Sequence, residues 1–224
     1  MNQNHTEQVK CRVCGFDSPM TVWSVIASDD DSEIAGAFVK GDIYDWKCEV
    51  CGHEDKIAFP TLYVDRLHRY MLLYHPWNTV ENHGMILPDL LPGDLDWEGF
   101  TLRRVAGLEN LREKIRIFEN GLNDVALERL KYFQKLDRVL DFYRDDDIYF
   151  HGIDHDPERC RERGASRGIL QLAIVREGFP PRIKEFPAEI YYDYLLAVNK
   201  DERMRAADWD ETDWYWMDRK LREE

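Results

Sequence analysis

Apolar and polar residues alternate along Asp42-Ile43-Tyr44-Asp45-Trp46-Lys47, the two-residue period of a half-buried strand. Residues 21–26 and 56–59 read as its neighbours in a small sheet, and residues 61–64, 70–74 and 102–105 as three more strands. Between the first two, residues 34–39 carry the apolar spacing of a short helix, with acidic charges at its start and Gly41 at its end. Pro76, Pro88, Pro92 and Gly93 then punctuate a loop-rich crossing. From Leu108 the period lengthens: Leu108, Leu111, Ile115 and Phe118 fall on one helical face, and Asn120-Gly121 stops it. Asp124 is placed to cap a second helix whose stripe runs Leu127, Leu130, Phe133, Leu136, Leu140, Tyr143. Residues 169–175 read as a buried strand, and Pro187 opens a helix over 188–198 with Ile190, Tyr194 and Ala197 on one side. Together these elements predict an α+β protein, an antiparallel sheet with packed helices and a mixed C-terminal extension.

Composition narrows what such a fold does. The chain has 224 residues, 44% of them hydrophobic, enough for one substantial core and a smaller second unit. Its formal charge of −14 disfavours sequence-independent binding to nucleic acid or to an anionic membrane, and makes a basic partner easier to hold. The longest stretches free of Asp, Glu, Lys and Arg are eleven residues, 18–28 and 70–80, where a spanning helix needs about 20. The opening MNQNHTEQVK lacks the charged start and apolar run of a secretory signal. A reducing cytoplasm is therefore the expected compartment.

Four of the five cysteines carry the strongest chemical signal. Cys11-Arg12-Val13-Cys14-Gly15 and Cys48-Glu49-Val50-Cys51-Gly52 repeat one pattern, with 33 residues between Cys14 and Cys48. A CxxC turn aims both sulfurs at one point, and the glycine behind it supplies the positive φ that a tight knuckle needs. Two knuckles make a tetrahedron of thiolates suited to one structural Zn²⁺, the smallest sheet gaining from the ion what its own core lacks. Iron on the same four sulfurs remains open. Because four thiolates leave no coordination position for water or substrate, the pattern leans away from an enzyme. Lys10, Arg12 and Lys47 stand beside the ligands and are expected to balance their charge. The acidic run 28–33 lacks the alternating oxygen ligands, mid-loop glycine and terminal Glu of a calcium loop.

These knuckles, together with Val22-Trp23-Ser24-Val25-Ile26, Gly41-Asp42-Ile43-Tyr44, Leu62-Tyr63-Val64-Asp65 and the run from Asn110 to Asp124, resemble the bacterial CpXC domain family over roughly residues 9–136. The resemblance implies that Cys11, Cys14, Cys48 and Cys51 are the family's zinc ligands, and it supplies no reaction. One departure stands out: the proline of the family's name is replaced by Arg12 and Glu49, which bears on knuckle stiffness and not on ligation. On this reading residues 1–143 form the zinc-ribbon-like domain with its helical pair, and 144–224 an extension packing on it or on a partner.

In that extension His151, Asp154, His155 and Asp156 form the second candidate site, an acid–base or metal cluster in a segment whose Gly152 and Pro157 argue for a solvated turn. Cys160 reads as a lone reduced thiol. Gly164-Ala165-Ser166-Arg167-Gly168 is a turn and not a phosphate loop, since the Gly-Lys-Ser/Thr ending is absent. Trp209, Trp214, Tyr215 and Trp216 lie among acids near the end, rings that either cover the protein's own core or anchor another chain. The expectation that follows is a zinc-binding protein-interaction or adaptor module, with a protein partner or self-association. Two alternatives stand beside it: an enzyme built on the His151 cluster, and nucleic-acid recognition through Arg103, Arg104, Arg112, Lys114 and Arg116 if they share a face.

Overall fold

The computed structural model describes residues 2–76, 97–136 and 146–223. Their contacts divide the chain into two compact units, Met1–Leu111 and Arg112–Glu224. The fold is α+β. In the first unit a five-stranded mixed sheet has the order β1 (Gln3–Lys10), β2 (Asp17–Ala27), β5 (Thr61–Asp65), β6 (Tyr70–His75), β7 (Thr101–Ala106). Its β1/β2 and β5/β6 pairs are antiparallel, while β2/β5 and β6/β7 are parallel. A separate antiparallel pair, β3 (Asp45–Lys47) with β4 (Glu54–Lys56), carries the second knuckle between its strands.

Residue pattern explains this order. At its start β2 alternates, burying Ser18, Met20 and Val22, and then becomes continuously buried through Val25, Ile26 and Ala27 where β5 joins it. Every residue of β5 and β6 is buried, as fits strands with neighbours on both sides. Helix α1 (Ser32–Lys40) begins at Asp31, whose carboxylate accepts from the amides of Glu33 and Ile34, and ends at Gly41 with φ of 84°. The left-handed φ favours glycine there, and a Cβ would also press on the end of the Leu108 side chain at 2.6 Å. From α1, Phe38 stacks on Tyr63 with ring centres 5.6 Å apart and meets Tyr74 edge-on at 6.0 Å.

Several expectations are corrected here. Residues 42–47 do not form one strand: Asp42–Tyr44 is a 3-10 turn, and only Asp45–Lys47 is extended. The turn swings Tyr44 into the aromatic cluster against Phe59 (4.9 Å) and Tyr74 (5.5 Å), and that burial outweighs the strand period. Of residues 56–59 only Lys56 lies in a strand; Ile57 instead donates its amide to Tyr44 O at 2.8 Å.

The second unit contains α3 (Asp124–Leu136), the antiparallel sheet β10–β9–β8 and helices α4 (Pro157–Glu162), α5 (Glu189–Lys200) and α6 (Trp214–Arg222); α2 (Leu108–Glu119) begins in the first unit and continues into the second. Strands β8 (Asp147–Asp154) and β10 (Arg182–Pro187) flank the apolar β9 (Ile169–Val175). Residues 149–154, expected as a turn, are therefore strand, with a register shift between Phe150 and Gly152. Asn123, not Asp124, caps α3, accepting from the Ala126 amide at 2.9 Å. On α5 the buried residues are Tyr191 and Val198 instead of the Ile190, Tyr194, Ala197 face, because the Tyr191 hydroxyl reaches in to accept from Asn123 N at 2.8 Å. Residues Pro88, Pro92, Gly93, Leu140 and Tyr143 of the sequence reading lie outside the described residues.

Asp124 belongs to a buried ionic network. Lys131 Nζ donates to both oxygens of Glu113 at 2.9 and 3.0 Å and lies 2.9 Å from Glu128. Lys114 Nζ donates to Thr212 at 2.8 Å, Asp124 at 3.3 Å and Glu128 at 3.4 Å, while Thr212 donates to Asp124. The Phe150 amide from β8 completes the shell of Glu113 at 2.5 Å. Burial alone would lower the Lys131 ammonium, but the Glu113 and Glu128 carboxylates outweigh it and hold the group above its ordinary value. Lys131→Met, which keeps the length and removes the charge, is expected to strand these carboxylates and destabilise the protein by about 3–5 kcal/mol in urea unfolding; a loss below about 1 kcal/mol would show that the network is not needed for the fold.

Candidate metal centre

The two knuckles are built alike, atom for atom. In the first, Gly15 N donates to Cys11 O at 2.9 Å and Cys11 N to Phe16 O at 2.8 Å; in the second, Gly52 N donates to Cys48 O at 3.0 Å and Cys48 N to His53 O at 2.9 Å. Gly15 and Gly52 take φ of 74° and 70°, the left-handed region that reverses the chain just after the second sulfur. One knuckle closes the β1–β2 hairpin and the other the β3–β4 hairpin, so two turns far apart in sequence meet tip to tip.

All four sulfurs lie within 4.8 Å of one another. The Cys11–Cys51 and Cys14–Cys48 sulfurs are 3.6 Å apart. A tetrahedral ion with metal–sulfur bonds of about 2.3 Å requires edges of about 3.8 Å, so the donor set fits such an ion. Cys11 and Cys48 are buried and Cys14 and Cys51 exposed, so the cage opens to solvent on one side only.

The surroundings favour charge on the inner sulfurs. The Cys14 amide lowers the Cys11 thiol and outweighs its burial, with the Val13 amide, 3.4 Å from the sulfur, adding to it. At Cys48 the Cys51 amide, with help from the Ser18 hydroxyl at 3.6 Å, brings the thiol down to about 6. The outer pair responds oppositely. The His53 amide draws Cys51 down, but burial and the other three sulfurs outweigh it and push the thiol up to about 12. At Cys14 the Phe16 amide is likewise outweighed, by burial together with the Cys48 and Cys11 sulfurs, and the thiol is raised. The surroundings thus favour charge on two sulfurs over the other two, an imbalance that a bound cation would relieve.

Ser18 is a residue that sequence reasoning missed. It is fully buried in β2, donates to Cys48 Sγ and accepts from the Glu49 amide at 3.1 Å, and so fixes the second knuckle from the first hairpin. Its signal in the sequence was a polar residue on the inward phase of an alternating strand. Arg12 and Lys47, expected to balance the thiolates, instead engage side chains: Arg12 Nε donates to His53 Nε2 at 3.0 Å and lies 3.2 Å from Asp55, and Lys47 pairs with Glu54 at 2.8 Å. Backbone amides take the role assigned to them, and Arg12 becomes a strap between knuckles.

The His151 cluster is not assembled. Asp154 is bound to Arg159 and accepts from the Asp156 amide, while Asp156 accepts from the amides of Glu158 and Arg159 and so caps α4. His151 and His155 are exposed, and among the described residues the four cysteines alone group as metal ligands. Cys160 stands apart, its thiol 3.6 Å from Asp154 O. Of the basic residues considered as a stripe, Arg103 and Lys114 are buried, while Arg104, Arg112 and Arg116 are half-buried.

Fold and site define a mixed α+β protein with a two-knuckle, four-cysteine centre. The family model described as CpXC protein matches residues 9–131, more than half of the chain, and the protein belongs to that family. No curated protein matches the chain, and no solved structure does. Among the described residues no helix is long and apolar enough to cross a membrane.

Ser18→Ala is expected to keep the metal stoichiometry while weakening affinity about 10–100-fold in competition with a chromogenic chelator. An unchanged affinity would reduce Ser18 to a core-filling residue.

Proposed function

We propose that the protein holds one structural Zn²⁺ at Cys11, Cys14, Cys48 and Cys51, and that the resulting zinc ribbon is a protein-interaction module acting in the cytoplasm. The observation that carries the metal reading is the convergence of four sulfurs from two similarly built knuckles, all within 4.8 Å of one another. Zinc is preferred to iron because joining two hairpins asks no change of oxidation state of the ion itself. Magnitudes favour a structural role: metal binding in zinc-finger peptides is worth about 10–16 kcal/mol, against about 5–15 kcal/mol for the whole stability of a typical domain.

Support for a protein partner comes from the tips. Val13 and Val50, matched positions inside the two knuckles, are 65% and 59% exposed, and Phe16 is 53% exposed beside them. Apolar side chains grouped at a rigid tip are the usual makings of a contact surface. The enzyme reading loses its support because Asp154 and Asp156 are engaged in capping and ion pairing.

Elemental analysis of protein purified under reducing conditions is expected to find one zinc per chain. Chelation should then abolish hydrogen-exchange protection in the β1–β2 and β3–β4 hairpins while α3, tied by its own ionic network, stays protected. Iron in place of zinc, or hairpins equally protected without metal, would overturn the structural-zinc reading. For the partner, capture from native cells with the double variant Val13→Ser/Val50→Ser should lose the proteins that the wild type retains, with the zinc content unchanged.

A further inference from the structure

The four cysteines are not equivalent, and their inequality has a direction. Each of the two 3.6 Å sulfur pairs joins one knuckle to the other, and each joins an exposed sulfur to a buried one: Cys51 to Cys11, and Cys14 to Cys48. Resting on the metal reading above, we propose that the centre is an oxidation site at which a hydroperoxide exchanges the ion for two cross-knuckle disulfides, Cys11–Cys51 and Cys14–Cys48, leaving the hairpins tied after the metal has gone.

The chemistry balances in two steps per pair. The exposed thiolate, of Cys51 or Cys14, attacks the peroxide: an S–O bond forms, the O–O bond breaks, and the departing hydroxide takes a proton from solution to become water. The buried partner's thiolate, 3.6 Å away, then attacks the sulfenyl sulfur: the S–S bond forms, the S–O bond breaks, and the second hydroxide leaves as water with a second proton. Two thiolates lose two electrons and one hydrogen peroxide becomes two waters. After the first disulfide only two ligands remain and the ion departs, which opens the second pair to the same reaction.

Two contacts favour the cross-knuckle pairing. To bond, each cross-knuckle pair must close from 3.6 Å to about 2.05 Å, a sulfur displacement that side-chain rotation at an exposed cysteine supplies. Cross-knuckle bonds preserve the joint that the ion makes; bonds within each knuckle would release it.

The test uses the full chain with Cys160→Ser, which removes the one thiol outside the centre. Metal content is measured first. Hydrogen peroxide is then titrated in, ion release is followed with a chromogenic chelator, free thiols are alkylated, and the protein is cleaved with trypsin and Glu-C without reduction. Cleavage after Arg12 and Glu49 puts each cysteine on its own peptide. The expected result is release of the ion with consumption of about two peroxides per chain at completion, peptides linked as Cys11–Cys51 and Cys14–Cys48, and hairpin protection retained in hydrogen exchange. Cys14→Ser should leave the Cys11–Cys51 link alone. Protein devoid of metal at the outset overturns this inference together with the metal reading. Metal present at the outset, followed by bonds within the knuckles, by sulfinic acid without disulfide, or by retention of the ion at complete thiol oxidation, overturns this inference only.

Discussion

Four sulfurs drawn within 4.8 Å of one another repel each other as thiolates unless a cation sits among them, and both knuckles of the first unit meet at that constraint. The knuckles are alike because each meets the same demand: two sulfurs facing one way, amides turned toward them, and a left-handed glycine to send the chain back. Amides from Val13, Cys14 and Cys51 then stabilise the inner thiolates without adding a charged side chain to a crowded place. The outer thiols Cys14 and Cys51, pushed up by their neighbours, are the ones whose ionisation waits on the metal. Charge on all four sulfurs and a bound cation thus go together in such a cage.

The second unit solves a related problem with protein charges alone. Glu113, Lys114, Asp124, Glu128 and Lys131 are all buried, and each acid finds an ammonium within 3.4 Å. Such a network adds little stability over an apolar core of the same volume, but it is intolerant of any arrangement that leaves one member unpaired. Thr212 and the Phe150 amide are the polar groups that fix its edges, and with them the segment before α6 and strand β8. The acidic, tryptophan-rich end of the chain is thereby drawn inward: Trp216 and Met217 are buried, and Trp214 stacks on Tyr132 with ring centres 4.4 Å apart.

Local pattern made much of this legible. The knuckles, α1 with its Gly41 stop, β5, β6, β7, α2, α3 and β9 all announce themselves over a few residues, because their period or their caps are set by neighbours in sequence. What escaped was decided at a distance. Residues 149–154 carry Gly152 and His151 and look like a turn, yet pairing with the apolar β9 makes them a strand. Tyr44 has the phase of a strand residue, but an aromatic pocket formed by Phe38, Phe59 and Tyr74 claims its ring. The stripe Ile190, Tyr194, Ala197 gave way to Tyr191 and Val198 because one hydroxyl found a backbone amide at the start of another helix. At the centre the ligands were legible and their supports were not: Ser18 showed only as a polar residue on an inward strand phase, and that it joins the Cys48 sulfur to the Glu49 amide is decided by the other hairpin.

Arg12 shows how a knuckle does without the proline that its family resemblance leads one to expect. Proline would stiffen the turn from within by fixing φ. Arginine cannot, and here the stiffness comes from outside: its guanidinium crosses to His53 and Asp55 on the opposite hairpin. The strap is 70% exposed at the arginine side chain, so its Coulomb energy is small and screened by salt. Its value lies in direction, since it ties the two hooks side by side and the sulfurs need only small motions to meet an ion. The opposite knuckle has Glu49 at the matching place, and there the amide is held by Ser18 instead. Each replacement is thus compensated by a contact from the other hairpin, so the stiffness that proline would build into each loop is shared between the two.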